Sequence, residues 1–73
     1  MNRVAIRQQI ENWFNNLEPE ARLELLEEKA RLLILRRERL ISLRNTRDLT
    51  PAENQSLTHT NIELEFLLER LNL

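Results

Sequence analysis

The fold of this chain is decided by the stretch Thr46-Arg47-Asp48-Leu49-Thr50-Pro51-Ala52-Glu53. Its second half predicts a helix start: the Thr50 side chain can accept from a free backbone N–H, Pro51 suits the first helical position, and Glu53 can complete a capping box. Its first half is a joint of only four residues. A joint this short between two long helices predicts that they fold back on each other as an antiparallel hairpin.

Two long helical segments flank this joint, at about 19-45 before it and about 51-72 after it. Pro19 marks the start of the first segment, because proline suits the opening turn of a helix and no further proline interrupts the chain before the joint. Folding back near residue 48 brings Leu33 opposite Leu64, so the apolar layers of the two helices match. The hairpin should therefore contain a shared apolar core.

A shorter helix is expected near the start of the chain, over about 3-16. Asn2 is a suitable N-cap, and Asn15 and Asn16 suit a left-handed C-cap in a chain without glycine. Five apolar residues recur at helical spacing and share one face: Ile6, Ile10, Trp13, Phe14 and Leu17. The sequence thus predicts an all-α fold, in which this helix packs beside the hairpin in one small domain, 1-73.

The composition excludes several classes of site. The 73 residues include no glycine, no cysteine and one histidine, whereas leucine, glutamate and arginine dominate. Without glycine, the chain has neither a phosphate-binding loop nor a dinucleotide fingerprint. Without cysteine and with one histidine, it has no thiolate or multi-histidine metal site. We therefore expect no enzyme activity, catalytic residue, metal, cofactor or small-molecule substrate.

The charge and hydropathy patterns bear on partners and location. The net charge of −1 gives no overall attraction to nucleic acid or to an anionic membrane. The longest apolar run has four residues, where a bilayer span needs about 20. No apolar stretch typical of a secretory signal follows the first arginines. These features favour a cytoplasmic protein with no membrane contact.

The apolar arc of the second helix is too wide for one partner. It covers about 200° of the helix, where contact with a single neighbour needs about 100°. One face contains Leu23, Leu26, Ala30, Leu33, Ile34, Leu40 and Ile41, and Leu25, Leu32 and Leu43 widen it. The third helix also carries a second apolar stripe. We therefore expect a helical bundle completed by oligomerisation, most simply a homodimer, or by another protein. The candidate contacts are Trp13, Phe14, Leu35, Arg37, Ile62 and Phe66.

Arg37 interrupts the apolar arc of the second helix and admits two interpretations. Its aliphatic stem can cover apolar surface while its charged head stays in water. Alternatively, it is a polar residue that sets the register at an oligomer seam, as a polar group does in a coiled coil.

The stretch 31-47 is rich in arginine and also admits two interpretations. The residues that could contact nucleic acid or an acidic partner are Arg31, Arg36, Arg39, Arg44 and Arg47. In the structural interpretation, this stretch instead complements the helix dipole, and its part from Arg31 to Arg37 pairs across the hairpin with Glu63, Glu65 and Glu69. We favour the structural interpretation.

The segment Asn61-Ile62-Glu63-Leu64-Glu65-Phe66-Leu67-Leu68 resembles the signature of small helical-hairpin phosphatases that act on sporulation response regulators. That signature has serine where Asn61 stands and aspartate where Glu65 stands, so the resemblance does not carry the activity over. A short helix beside a helical hairpin is also similar, in architecture and size, to small type III secretion cochaperones.

These observations favour a small non-enzymatic module for protein–protein interaction, of the regulator, inhibitor or cochaperone type. It would act as an oligomer or in complex with another protein. Two alternatives stay open: a nucleic-acid-binding helical dimer that uses the arginines of 31-47, and a small response-regulator phosphatase-like hairpin.

Overall fold

The computed structural model describes residues 2–72, which form α1 (Arg3–Asn15), a 3-10 turn (Pro19–Ala21), α2 (Arg22–Thr46) and α3 (Pro51–Asn72). These residues form no strand, so the all-α prediction is confirmed. The segment predicted at about 19-45 differs in its first turn. There the N–H of Ala21 donates to the carbonyl of Glu18 at 2.9 Å. This bond spans three residues, so the turn is 3-10 and the α-helix begins after it.

The two ends of α1 differ in how well they match the prediction. The side-chain Oδ1 of Asn2 accepts from the N–H of Val4 at 2.9 Å, which confirms Asn2 as the N-cap. The left-handed C-cap is wrong, because Asn16 has a φ of −90° and a ψ of −2°. The N–H of Leu17 instead donates to the carbonyl of Phe14 at 3.2 Å. This tightened last turn satisfies a terminal carbonyl without a left-handed residue.

The joint between α2 and α3 is held by the predicted capping box. The N–H of Glu53 donates to Oγ1 of Thr50 at 3.1 Å, and the N–H of Thr50 donates to Oε1 of Glu53 at 2.9 Å. Arg47 has extended backbone angles that end α2. Its guanidinium donates to both carboxylate oxygens of Glu53, each at 2.8 Å. One carboxylate therefore caps α3 and also ties its first turn to the end of α2.

The core forms where α2 packs against α3. Its buried residues come from all three helices: Ile10, Leu26, Ala30, Leu33, Leu64, Phe66 and Leu67. Leu33 and Leu64, which were predicted to face each other, belong to this one cluster. Leu40 and Leu57, nearer the joint, are buried as well.

α1 packs mainly on α3, where it meets Phe66 of the second apolar stripe. Phe66 has no exposed surface and Ile62 is buried. The rings of Phe66 and Phe14 meet edge to face, with centroids 6.1 Å apart. The interpretation of Ile62 and Phe66 as contacts with a partner is therefore corrected, because both side chains are buried within their own chain.

Candidate interaction surface

α2 is covered by α3 on one side only and keeps large apolar residues in contact with solvent. The exposed fractions are 63% for Leu23, 57% for Leu32, 38% for Ile34 and 57% for Leu35. At about 100° per residue, these four residues lie on two different faces of the helix. We name them the outer face, with Leu32 and Leu35, and the groove face, with Leu23 and Ile34.

The outer face lies away from α3. Leu32 and Leu35 line a surface hollow of about 270 Å³ together with Arg36 and Arg39. Both arginines are exposed. The hollow therefore combines two apolar side chains with two cationic ones, all four on a single helix.

The groove face borders α3. A groove of about 420 Å³ runs between the two helices there, and its lining includes Ile34, Arg37 and Leu68. Leu68 is 49% exposed. Arg37 lines this groove, while the residue as a whole is exposed to solvent. Arg37 thus lies at the edge of the apolar arc and is not covered by α3.

The pairing predicted between the arginines of α2 and the glutamates of α3 does not form. Glu65 accepts a hydrogen bond from Arg3, and Glu69 accepts one from Arg7 at 2.5 Å. Glu63 lies 3.3 Å from Nε2 of His59. The arginines of α1 thus occupy two of the three carboxylates that the sequence assigned to α2. From the Arg3–Glu65 pair to the Arg7–Glu69 pair, the residue number rises by four in both helices. α1 and α3 therefore run in the same direction.

These contacts change the acidity of the groups involved. The hydrogen bond from Arg3 lowers the pKa of Glu65 below its ordinary value. The hydrogen bond with Glu69 raises the pKa of the Arg7 guanidinium. The strongest effect is at the joint, where the hydrogen bond from Arg47 lowers the pKa of Glu53 to about 2. The carboxylates of Glu65 and Glu53 therefore remain charged well below neutral pH.

Most arginines of 31-47 are left without a carboxylate partner. Only Arg47 makes an ion pair, and within residues 2–72 no carboxylate oxygen lies within 4 Å of the others. These others are Arg31, Arg36, Arg37, Arg39 and Arg44. All five are exposed. The structural interpretation based on pairing across the helices is therefore wrong for this stretch.

The charges on and just before α2 are separated along its length. Residues 18–28 contain five glutamates and one arginine, whereas 31–44 contain five arginines and one glutamate. None of the five glutamates makes an ion pair with a described residue. One end of α2 is thus acidic and the other basic, and neither charge is neutralised by the part of the chain that the structure describes.

Trp13 and Phe14 lie at the boundary between α1 and the core. Both are half-buried and pack against the core cluster. The Lys29 ammonium lies 5.6 Å from the Trp13 ring centroid, and the Arg22 guanidinium lies 5.1 Å from that of Phe14. These cation–π contacts link α1 to the first third of α2. The two aromatic residues therefore join α1 to the rest of the fold.

The polar groups outside these surfaces are accounted for within the chain. Thr60 is fully buried, and its hydroxyl donates to the carbonyl of Ser56 at 2.7 Å. No buried side-chain nitrogen or oxygen among the described residues lacks a hydrogen-bond partner. Residues 2–72 contain no cluster of three or more histidine or carboxylate side chains that could hold a metal ion.

Sequence reasoning missed Leu23, Ile34 and Leu68 as surface residues. It placed Leu23 and Ile34 in the apolar arc of α2, which it predicted to need two partners, but it did not name them among the candidate contacts. Periodicity shows that a face is apolar, but it does not show which neighbour covers it. The width of the arc was the available signal, since an arc of about 200° exceeds what one helix can cover.

Comparisons with models of protein families, with curated proteins and with solved structures found no match to this chain. Among the described residues, no helix combines the length and the apolar character needed to cross a bilayer.

Proposed function

We propose that the protein is a small non-enzymatic helical module that binds other proteins, as a regulator, inhibitor or cochaperone does. One observation carries the proposal: Leu32 and Leu35 remain more than half exposed on the outer face of α2, beside the unpaired Arg36 and Arg39. The α2–α3 pair, taken as an antiparallel hairpin, supports this face. The module would act in a complex or as an oligomer.

The composition of the outer face indicates the chemistry of the partner. Burial of apolar surface contributes about 25 cal/mol per Å², so covering both leucines favours association. Arginine is enriched at protein interfaces because its planar guanidinium can hold a carboxylate with two hydrogen bonds. A helix that carries apolar and acidic side chains one turn apart would satisfy both features. We propose such a helix as the partner of the outer face.

Binding of nucleic acid is the second candidate, and the five unpaired arginines favour it. A phosphate backbone is best contacted by a basic stripe along one side of a helix. At about 100° per residue, however, Arg31, Arg37 and Arg39 point to three different sides of α2. The spread of these charges favours the protein partner. The phosphatase-like alternative has less support, because Glu65 of its signature is already held by Arg3.

A photocrosslinking experiment tests this proposal. A photoreactive amino acid replaces Leu35 on the outer face or, as a matched control, the exposed Gln55 on α3. After irradiation in an extract of the source organism, we expect discrete protein adducts at position 35 and not at position 55. Circular dichroism checks that both variants keep their helices.

Three results would count against the proposal. Equal labelling at positions 35 and 55, or none at either, would mean that the outer face is ordinary surface. Adducts at position 35 that disappear after nuclease treatment would favour nucleic-acid binding instead. Replacing Arg36 and Arg39 with Gln should weaken the protein adducts, and unchanged adducts would contradict the role given to the two arginines.

A further inference from the structure

We infer that the groove face of α2 packs against a second copy of this chain, with the two α2 helices antiparallel. This face is distinct from the outer face, so the inference goes beyond the proposed partner site.

The groove face carries the spacing of a helix–helix seam. Its stripe contains Leu23, Glu27, Ala30, Ile34, Arg37 and Ile41. The steps between these residues alternate between four and three, which is the a and d pattern of helices that pack side by side. Leu23 and Ile34 are exposed and Ile41 is half-buried, whereas Ala30 belongs to the chain's own core, so the apolar contacts of the seam come from Leu23, Ile34 and Ile41. Leu68 of α3 borders the same groove and widens the apolar surface.

The stripe is complementary to itself in one antiparallel register. Centred on residue 32, the pairing places Leu23 beside Ile41 of the second copy. It also places Glu27 beside Arg37. A two-fold symmetric dimer makes each of these contacts twice. Both Glu27 and Arg37 are exposed and make no ion pair with a described residue of their own chain.

The charge separation along α2 favours the antiparallel arrangement over a parallel one. In an antiparallel pair, the acidic end of each α2 lies along the basic end of the other. A parallel pair would place Glu27 against Glu27 and Arg37 against Arg37, and like charges at an interface oppose association. In the inferred seam, Arg37 is the polar residue that fixes the register among apolar neighbours.

A charge-swap experiment tests the seam. In the Glu27→Arg variant the symmetric dimer sets the introduced arginine against Arg37, and in the Arg37→Glu variant it sets the introduced glutamate against Glu27. Each variant alone should therefore dimerise at least about tenfold more weakly than the wild type. Mixed in equal amounts, the two variants can form a dimer with one chain of each kind, and in the inferred register this mixed dimer relieves the repulsion.

Formation of the mixed dimer therefore tests the register directly. In the inferred register, one of its two contacts joins the introduced arginine to the introduced glutamate, and the other joins the unchanged Glu27 and Arg37. Both contacts then pair opposite charges, so the mixture should recover dimers of one chain of each kind. Sedimentation equilibrium and native mass spectrometry measure this recovery, and a mixture that dimerises no better than either variant alone would overturn the register.

The outer face supplies a matched control. Glu28→Arg and Arg39→Glu make the same charge changes on the opposite side of α2. These variants should leave the dimer unchanged. If they weaken it while the groove-face variants do not, or if the wild type is a monomer at micromolar concentration, the inference is wrong. A monomer that still forms adducts at position 35 would leave the proposed function standing without the homodimer.

A distance measurement tests the orientation of the helices. Spin labels on a cysteine introduced at the exposed Ser42 should lie about 30 Å apart in the antiparallel dimer, since position 42 lies opposite position 22 and the helix rises about 1.5 Å per residue. A parallel dimer would place the two labels side by side, closer to the separation of packed helices, about 8–10 Å, plus the label lengths. A short distance at position 42 would overturn the antiparallel register.

Discussion

At the scale of single residues, Glu53 combines two functions that the sequence revealed to different degrees. Its capping of α3 is local, and the order Thr50-Pro51-Ala52-Glu53 was enough to predict it. Its pair with Arg47 was not predicted. The guanidinium reaches Glu53 because the backbone becomes extended at Arg47, where α2 ends. No residue pattern in the sequence specifies these backbone angles.

The low pKa of Glu53 predicts a pH dependence of stability. A carboxyl whose pKa is lower in the folded state stabilises the protein above the pKa of the unfolded chain, and this contribution is lost as the pH falls through the folded pKa. For Glu53 the loss should fall between its ordinary value of 4.5 and about 2. In urea unfolding across this window, Glu53→Gln should flatten the decline while keeping a capping side chain. Arg47→Gln should flatten it similarly. Parallel declines in the wild type and both variants would contradict this assignment.

At the scale of helices, the sequence predicted the number and the approximate bounds of the elements but not what covers each apolar face. Ile62 and Phe66 of the second stripe of α3 looked like an unpartnered surface, yet both are buried within the chain and Phe66 packs against Phe14 of α1. The glutamates of α3 looked available to α2, yet Arg3 and Arg7 of α1 reach them. Both errors have one origin: the direction in which a short helix docks depends on tertiary contacts that helical periodicity does not encode.

Two alanine substitutions compare the stability contribution of a buried side chain with that of an exposed one. Phe66→Ala removes a ring with no exposed surface and should cost about 3–5 kcal/mol of unfolding free energy. Leu35→Ala removes a side chain that is mostly in water and should change stability by less than about 0.5 kcal/mol. Chemical denaturation of both variants at one fixed protein concentration provides the comparison. Similar losses in the two would mean that Leu35 is buried in solution by a partner copy, which would move the homodimer seam to the outer face.

At the scale of the whole molecule, stability and association should be coupled. A chain of this size buries only about 60% of its unfolded surface, so its own core leaves a narrow margin of stability. Leu23 and Ile34, which stay exposed on the groove face of α2, are the surface that a second copy would bury. If dimerisation occurs only between folded chains, mass action stabilises the folded state as the protein concentration rises.

The melting temperature should therefore depend on protein concentration and on salt. Over about a hundredfold increase in concentration we expect the wild-type Tm to rise by several degrees, because only folded chains dimerise. Added salt should reduce this rise, since it screens the exposed contacts between Glu27 and Arg37 of the second copy. Arg37→Glu should remove most of the concentration dependence, whereas Arg39→Glu should keep it. Scanning calorimetry at several concentrations measures both effects, and a wild-type Tm independent of concentration would show that each chain folds alone.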